Sequence, residues 1–226
     1  MEEVRWYFIV VIVSAAIITI ELCRAAAPFA TALRDSAFQV ASIITTTGFS
    51  TTDFNLWPGT CKTILVILMF VGACAGSTGG GMKVSRFVIL FKTVFKELDS
   101  YIHPKRIQKL ALDGKPIDHD VVRSINVYFI TFAVIFVISL FLVSFEGNDL
   151  VTNFTAVAAT INNIGPGLEL AGPTQNFGLF SMLTKYVLMF DMLAGRLELF
   201  PLLILFHPAV WKDLHTTHRN WRRRRQ

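Results

Sequence analysis

The chain has 226 residues, is 53% hydrophobic and carries a formal net charge of +5, with a mean hydropathy of +0.54. Its apolar residues fall in blocks of about 20, the length that crosses a bilayer, whereas a soluble domain would show amphipathic stripes. An integral membrane protein of α type follows. The positive charge does not point to nucleic acid, because the basic residues sit in loops and tail, as the positive-inside rule expects.

In chain order, Trp6 and Tyr7 suit a membrane interface, and residues 8–22 form the first span. A signal peptide is the alternative, but the start lacks a basic region. Glu21, Arg24, Arg34 and Asp35 mark the far side. Residues 36–44 read as a helix too short to span, followed by a polar turn and return over 45–55. Residues 63–75 are again short for a span and break at 76–81, before a second apolar piece at 87–95. The pattern predicts one discontinuous helix, and irregular backbone at membrane depth must be buried in protein or line water.

Residues 96–123 are polar, with both charge signs and Pro104, Gly114 and Pro116. A strongly apolar span covers 124–145, and Glu146, Asn148 and Asp149 mark the far side again. A second short helix at 153–161 leads into a second turn at 162–167, and Gly172-Pro173 ends the return. The last span, 177–206, has Lys185, Asp191, Arg196 and Glu198 in or near it. His207-Pro208 and Trp211 close it, and the tail ends in Arg222 to Arg225. Lys185 reads as interfacial, and Asp191 as facing protein with no partner named. The expected segments are a first pore repeat at 1–95, a linker at 96–123, a second pore repeat at 124–211 and a basic tail at 212–226. Lys and Arg concentrate at 83–123 and from Lys212 onward, whereas 146–176 has none. This puts both termini and the linker in the cytoplasm and brings both turns in from outside.

The two turns match. Aligning Gly48 with Gly165, about 117 residues apart, pairs VASIITTTGFS with VAATINNIGPG. A short helix followed by a glycine-bearing turn, twice, is what re-entrant pore loops require. A filter replaces an ion's water with fixed oxygens, and a glycine lets backbone carbonyls adopt the dihedrals this needs. Thr45, Thr46 and Thr47 add hydroxyls, and Asn162 and Asn163 add amides able to tie the loop to its own short helix. Neither turn holds a carboxylate, so a monovalent cation, potassium or sodium, fits better than a divalent one. One such turn alone would read as an ordinary helix connection; the matched pair favours the pore.

Other chemistry is poorly supported. The 76–83 stretch has the first spacing of a nucleotide-binding loop, but lacks the adjacent Lys-Ser/Thr and follows an apolar span rather than a strand. No nucleophile–base set or paired carboxylates suggests an enzyme. Cys23, Cys61 and Cys74 give no metal spacing; Cys23 and Cys61 flank the first short helix on one side, leaving a bridge between them open.

Four stretches carry a close resemblance: Ile44 to Ser50, Ala75 to Lys83, Asn162 to Gly167 and Gly195 to Glu198. On these, the whole chain resembles the C-terminal half of a bacterial potassium uptake subunit of the Trk/Ktr/HKT superfamily, nearest the TrkH branch. The fold implied is all-α, with two helix–pore loop–helix repeats, half of a four-repeat pseudo-tetrameric pore. The resemblance implies potassium coordination by carbonyls around Thr46, Thr47, Gly48 and Phe49, and around Asn163, Ile164, Gly165 and Pro166. It also implies an intramembrane gate made by Gly76, Ser77, Thr78, Gly79, Gly80 and Gly81; a passive kink is the alternative. Arg196 would hold that gate through its carbonyls, the alternative being an arginine that snorkels to the headgroups. Potassium is then the transported ion, with no organic cofactor, in a multi-pass cell (inner) membrane protein. Implied partners are membrane lipid, the missing N-terminal pore repeats or a second chain, and a cytoplasmic TrkA/KtrA-type nucleotide-binding regulatory subunit at the linker and tail. The complete subunit would be a homodimer. Two turns cannot surround an ion, so a fragment is the expectation; a non-conducting assembly or regulatory subunit is the alternative.

Overall fold

A computed structural model describes residues 1–103, 110–196 and 204. It consists of helices arranged twice in the same order. The first set is α1 (Glu2–Arg24), α2 (Phe29–Ile44), α3 (Gly59–Phe70) and α4 (Val84–Ile102); the second is α5 (His119–Ser144), α6 (Leu150–Ile161) and α7 (Met182–Arg196). A two-stranded antiparallel hairpin, β1 (Ala111–Leu112) with β2 (Lys115–Pro116), lies between them. Helices α1 and α5 are long and apolar enough to cross a membrane. Acidic Glu2 and Glu3 in the first turn of α1 and Arg24 in its last complement the helix dipole.

The short helices form the interior. All residues of α6 from Thr155 to Ile161 are buried, and α2 buries Val40, Ile43 and Ile44. The small side chains Ala156, Ala158 and Ala159 let neighbouring backbones approach, as membrane helix packing favours. An aromatic cluster fills the contact of α3, α5 and α6: Phe70 lies 5.6 Å from Phe136 and 6.1 Å from Phe154 between ring centroids. Buried hydroxyl and carboxyl bonds tie long helices to their partners. Thr19 and Ser36 meet at 2.6 Å between α1 and α2, and Ser139 donates to Asp191 at 2.6 Å between α5 and α7. Such bonds contribute about 0.6 kcal/mol on average in membranes. Asp191 is 0% exposed.

Several boundaries differ from the sequence expectation. Helix α2 starts seven residues earlier than 36, where Pro28 with its fixed φ of −59° leads into the helix and Ala30, Ala32, Leu33 and Arg34 are good helix formers. Arg34 and Asp35 are therefore inside that helix, paired at 2.9 Å, and do not mark its outer flank. Helix α6 starts at Leu150 because Asp149 caps it, accepting from the Thr152 amide at 3.0 Å and its hydroxyl at 2.5 Å. Those bonds hold the Asp149 carboxyl below the usual carboxylate range. Helix α3 ends at Phe70 rather than Ala75, and α4 runs on to Ile102, so the expected linker begins within a helix. At 182, α7 starts later than the expected span; Phe177–Leu179 is a separate 3-10 turn. Cys23, Cys61 and Cys74 are all free thiols, which removes the Cys23–Cys61 bridge. Pro104, Glu198, the end of the last span with His207, Pro208 and Trp211, and the basic tail lie outside the described residues.

Candidate filter and gate site

Helices α2 and α6 end alike. Thr46 has φ 56° and Asn163, at the matched position, φ 55°. The Thr46 amide donates to Ile43 at 3.0 Å and the Thr47 amide to Ser42 at 2.9 Å; the Asn163 amide donates to Thr160 at 3.0 Å and the Ile164 amide to Ala159 at 2.8 Å. Both helix ends are thus Schellman motifs, whose left-handed residue reverses the chain and satisfies the last carbonyls. Asparagine tolerates that conformation; a β-branched threonine does so only under strain of about 1–3 kcal/mol, which points to function.

The two turns touch. Gly48 has φ 78°, and a Cβ there would sit 2.0 Å from the Ile164 carbonyl oxygen. No other residue fits both the dihedral and the approach. The first turn is further pinned where Ser42 Oγ donates to the Phe49 carbonyl at 2.6 Å. Thr45, Thr47 and Phe49 are exposed, Phe49 by 71%, whereas Ile164 is buried. Outside the turns, the two return segments clasp each other. Asn55 Nδ2 donates to the Glu169 carbonyl at 3.2 Å and Asn55 Oδ1 accepts from the Glu169 amide at 2.9 Å.

On the other side of the turns lies the glycine-rich loop between α3 and α4. Its Gly80 amide donates to Thr46 Oγ1 at 3.0 Å, and a Cβ on Gly80 would lie 2.4 Å from the Asn162 carbonyl oxygen. The loop therefore contacts both turns. Two cations hold it. Arg196 donates to the Thr78 carbonyl at 2.6 Å, and buried Lys83 Nζ donates to the carbonyls of Ser77 at 2.8 Å and Gly79 at 2.7 Å. Three consecutive carbonyls are thus taken up by positive charge, and Arg196 bonds protein rather than reaching away from it. A cavity of about 260 Å³ lies here, lined by Thr78, Lys83, Tyr128 and Arg196 among others. Glu3 Oε1 accepts from the amides of Ala75 at 2.7 Å and Ser85 at 3.0 Å, clamping both arms of the loop.

The structure brings Thr46, Gly48, Asn163, Ile164 and Gly80 into direct contact, and Thr78 with Arg196. It leaves open space where a Gly76 side chain would project and leaves Phe49 exposed. The Asn163 amide bonds the Met192 carbonyl of α7 at 3.0 Å rather than its own short helix; only Asn162 makes the expected bond, to Ala158 at 2.9 Å. The left-handed residue of each turn thus couples it to a later segment of its own set: Thr46 to Gly80 in the loop between α3 and α4, and Asn163 to Met192 in α7. Gly195 adds to this, since a Cβ there would fall 1.7 Å from the Ile161 carbonyl oxygen. Lys83, Glu3 and Ser42 escaped sequence reading. The signal for Lys83 was a lysine ending a glycine run at membrane depth; Glu3 and Ser42 gave none.

A model of the family described as TrkH, cation transport protein, matches residues 6–213. The chain belongs to the TrkH family. The Trk system potassium uptake protein TrkH of Salmonella typhimurium is 37% identical over 183 residues, 81% of this chain and 38% of that protein. The TrkH protein of Vibrio parahaemolyticus is 41% identical over 183 residues, 80% of this chain and 37% of its own. The crystal structure of the potassium transporter TrkH from Vibrio parahaemolyticus matches with a TM-score of 0.85 and 36% identity, covering 92% of this chain and 45% of that one. The chain therefore spans about two-fifths of the length of the curated relatives it matches. TrkH-family membership makes it an all-α membrane protein of a transporter family.

Proposed function

We propose that this chain supplies two of the pore loops of a potassium-conducting pathway. Carbonyl oxygens around Thr46, Thr47, Gly48 and Phe49, and around Asn163, Ile164, Gly165 and Pro166, replace the hydration shell of the ion. Beneath them, the loop from Gly76 to Gly81 is a gate, closed by Arg196. The observation that carries this reading is the pair of identically ended short helices whose turns meet at Gly48 and Ile164. A turn that merely connected helices would have no reason to repeat the same dihedral at Thr46 and Asn163 and to meet its counterpart there.

Potassium, rather than sodium, is favoured by the relatives, which are named as potassium uptake proteins. On this reading 1–95 and 124–211 are the two pore repeats, 96–123 the cytoplasmic linker and 212–226 a cytoplasmic basic tail. The turns enter from outside the cell membrane. The remaining pore repeats come from further sequence or a second chain, the complete subunit pairs as a homodimer, and a nucleotide-binding regulatory subunit contacts linker and tail. The exposure of Thr45, Thr47 and Phe49 supports the need for more protein on that side.

The test is potassium flux into liposomes. The chain alone should be silent, because two loops cannot enclose an ion, and flux should appear once a chain bearing the other repeats is co-reconstituted. Assembly without flux would instead favour the second reading, a non-conducting assembly or regulatory subunit.

A further inference from the structure

We propose that the cleft between α4 and α5 binds the phosphodiester head group of an anionic phospholipid. A cavity of about 390 Å³ opens there, and Thr93, Lys96, Glu97, His119, Arg123 and Asn126 contribute to its lining. Among the described residues, Lys96, His119 and Arg123 form no ion pair. The Thr93 hydroxyl donates to the Ile89 carbonyl at 2.8 Å, so the Lys96 and Arg123 cations, the His119 ring and the Asn126 amide are the donors left for a ligand.

Depth selects the ligand. The stretch from Ser124 to Val143 lies within α5 and, at 1.5 Å per residue, covers about 30 Å, the thickness of the hydrocarbon core. Arg123 is the first residue beyond it, and His119 lies one turn further. With 124–143 as the hydrocarbon-crossing stretch of α5, both fall at the level of the lipid phosphates. Above Arg123, at helical spacing, Val127, Ile130 and Val134 are 43%, 65% and 51% exposed. This apolar strip runs directly from the cations, as a head group with an attached acyl chain requires and a free phosphate does not. The Glu97 carboxylate offsets one positive charge, which suits a singly charged phosphodiester rather than a polyphosphate. Since α4 begins beside Lys83, a lipid bridging Lys96 and Arg123 would fix the far end of the helix that carries the gate loop.

The inference rests on α5 crossing the bilayer, part of the reading above, and not on the filter. It is tested with the whole 226-residue chain in detergent, titrated with phosphatidylglycerol or phosphatidylcholine and read by native mass spectrometry. Phosphatidylglycerol should be retained preferentially. Lys96→Gln and Arg123→Gln should each reduce that preference about fivefold, and Arg123→Lys should keep it. Circular dichroism and thermal midpoint identify any variant that fails to fold, and Arg123→Lys supplies the folded reference. Replacing Arg222, Arg223, Arg224 and Arg225 with glutamine should leave the preference in place. Equal binding of the two lipids, or a preference that follows the tail and ignores Arg123, would overturn the proposal. So would displacement of the lipid by inorganic phosphate that binds as well alone, since the source would then be soluble. Loss of potassium flux in an assembled transporter would count against the filter and leave this binding result standing.

Discussion

Replacing Gly48 with alanine tests the contact between the turns. The added Cβ would meet the Ile164 oxygen at 2.0 Å, where real Cβ contacts essentially never fall below 3.0 Å, so the turns must part by about 1 Å. The left-handed dihedral adds about 1–2 kcal/mol for a non-glycine residue, and forced overpacking about 1–3 kcal/mol. Two controls separate these effects. Gly165 has φ 111° with nothing near its absent Cβ, so Gly165→Ala carries dihedral strain alone. Gly59 has open space and no positive φ, so Gly59→Ala should be close to neutral. Rubidium uptake by the transporter containing this chain is the assay, with thermal unfolding in parallel. Gly48→Ala should lower uptake on the order of a hundredfold, the scale on which a misplacement of about 1 Å acts where positioning does the chemistry. Gly165→Ala should be intermediate and Gly59→Ala near wild type. Equal uptake by Gly48→Ala and Gly59→Ala would refute the reasoning.

Three further outcomes follow from the site. Arg196→Gln removes a charged donor from the Thr78 carbonyl, a bond worth about 1.5–3 kcal/mol, and should shift the loop toward open by roughly 10- to 100-fold, read as raised basal flux in single-channel recordings. Gly80→Ala puts a methyl 2.4 Å from the Asn162 oxygen and should push the loop off the turns, raising basal flux and lowering ion selectivity in rubidium–sodium competition. Glu146 accepts from the Thr184 hydroxyl and from the Ser181 amide at 2.7 Å and hydroxyl at 2.9 Å, which holds its carboxyl below the ordinary 4.5. A carboxyl depressed on folding stabilises above its unfolded pKa and loses that effect as pH falls through the folded one. The thermal midpoint should therefore drop on acidification below about 4.5. Glu146→Gln should lessen the drop, and an unchanged pH profile would count against the Glu146 tie.

The order of helices was legible because apolar length is a one-dimensional signal. So was the pairing of Gly48 with Gly165, because the repeat preserves the residues before each turn. Helix starts were less legible: Asp149 sets one through its side-chain cap and Pro28 the other through its fixed φ, and both take their meaning from the backbone geometry around them. The partners of the loop were hidden for a different reason. Glu3 lies 72 and 82 residues from the two amides it binds, and Asn163 chooses Met192 over its own helix because α7 packs against α6 closely enough to demand Gly195. Such contacts are products of packing, which no local pattern encodes. Arg196 was the exception, since an arginine near an apolar span must find an acceptor, and loop carbonyls were the acceptors at hand.

The most direct measurement is anomalous scattering from rubidium in crystals of the transporter that contains this chain. Density on the pore axis, within coordination distance of carbonyls from both the Thr46–Phe49 and Asn163–Pro166 turns, is the predicted result. Rubidium bound elsewhere, with neither turn contributing an oxygen while the same preparation transports the ion, would contradict it.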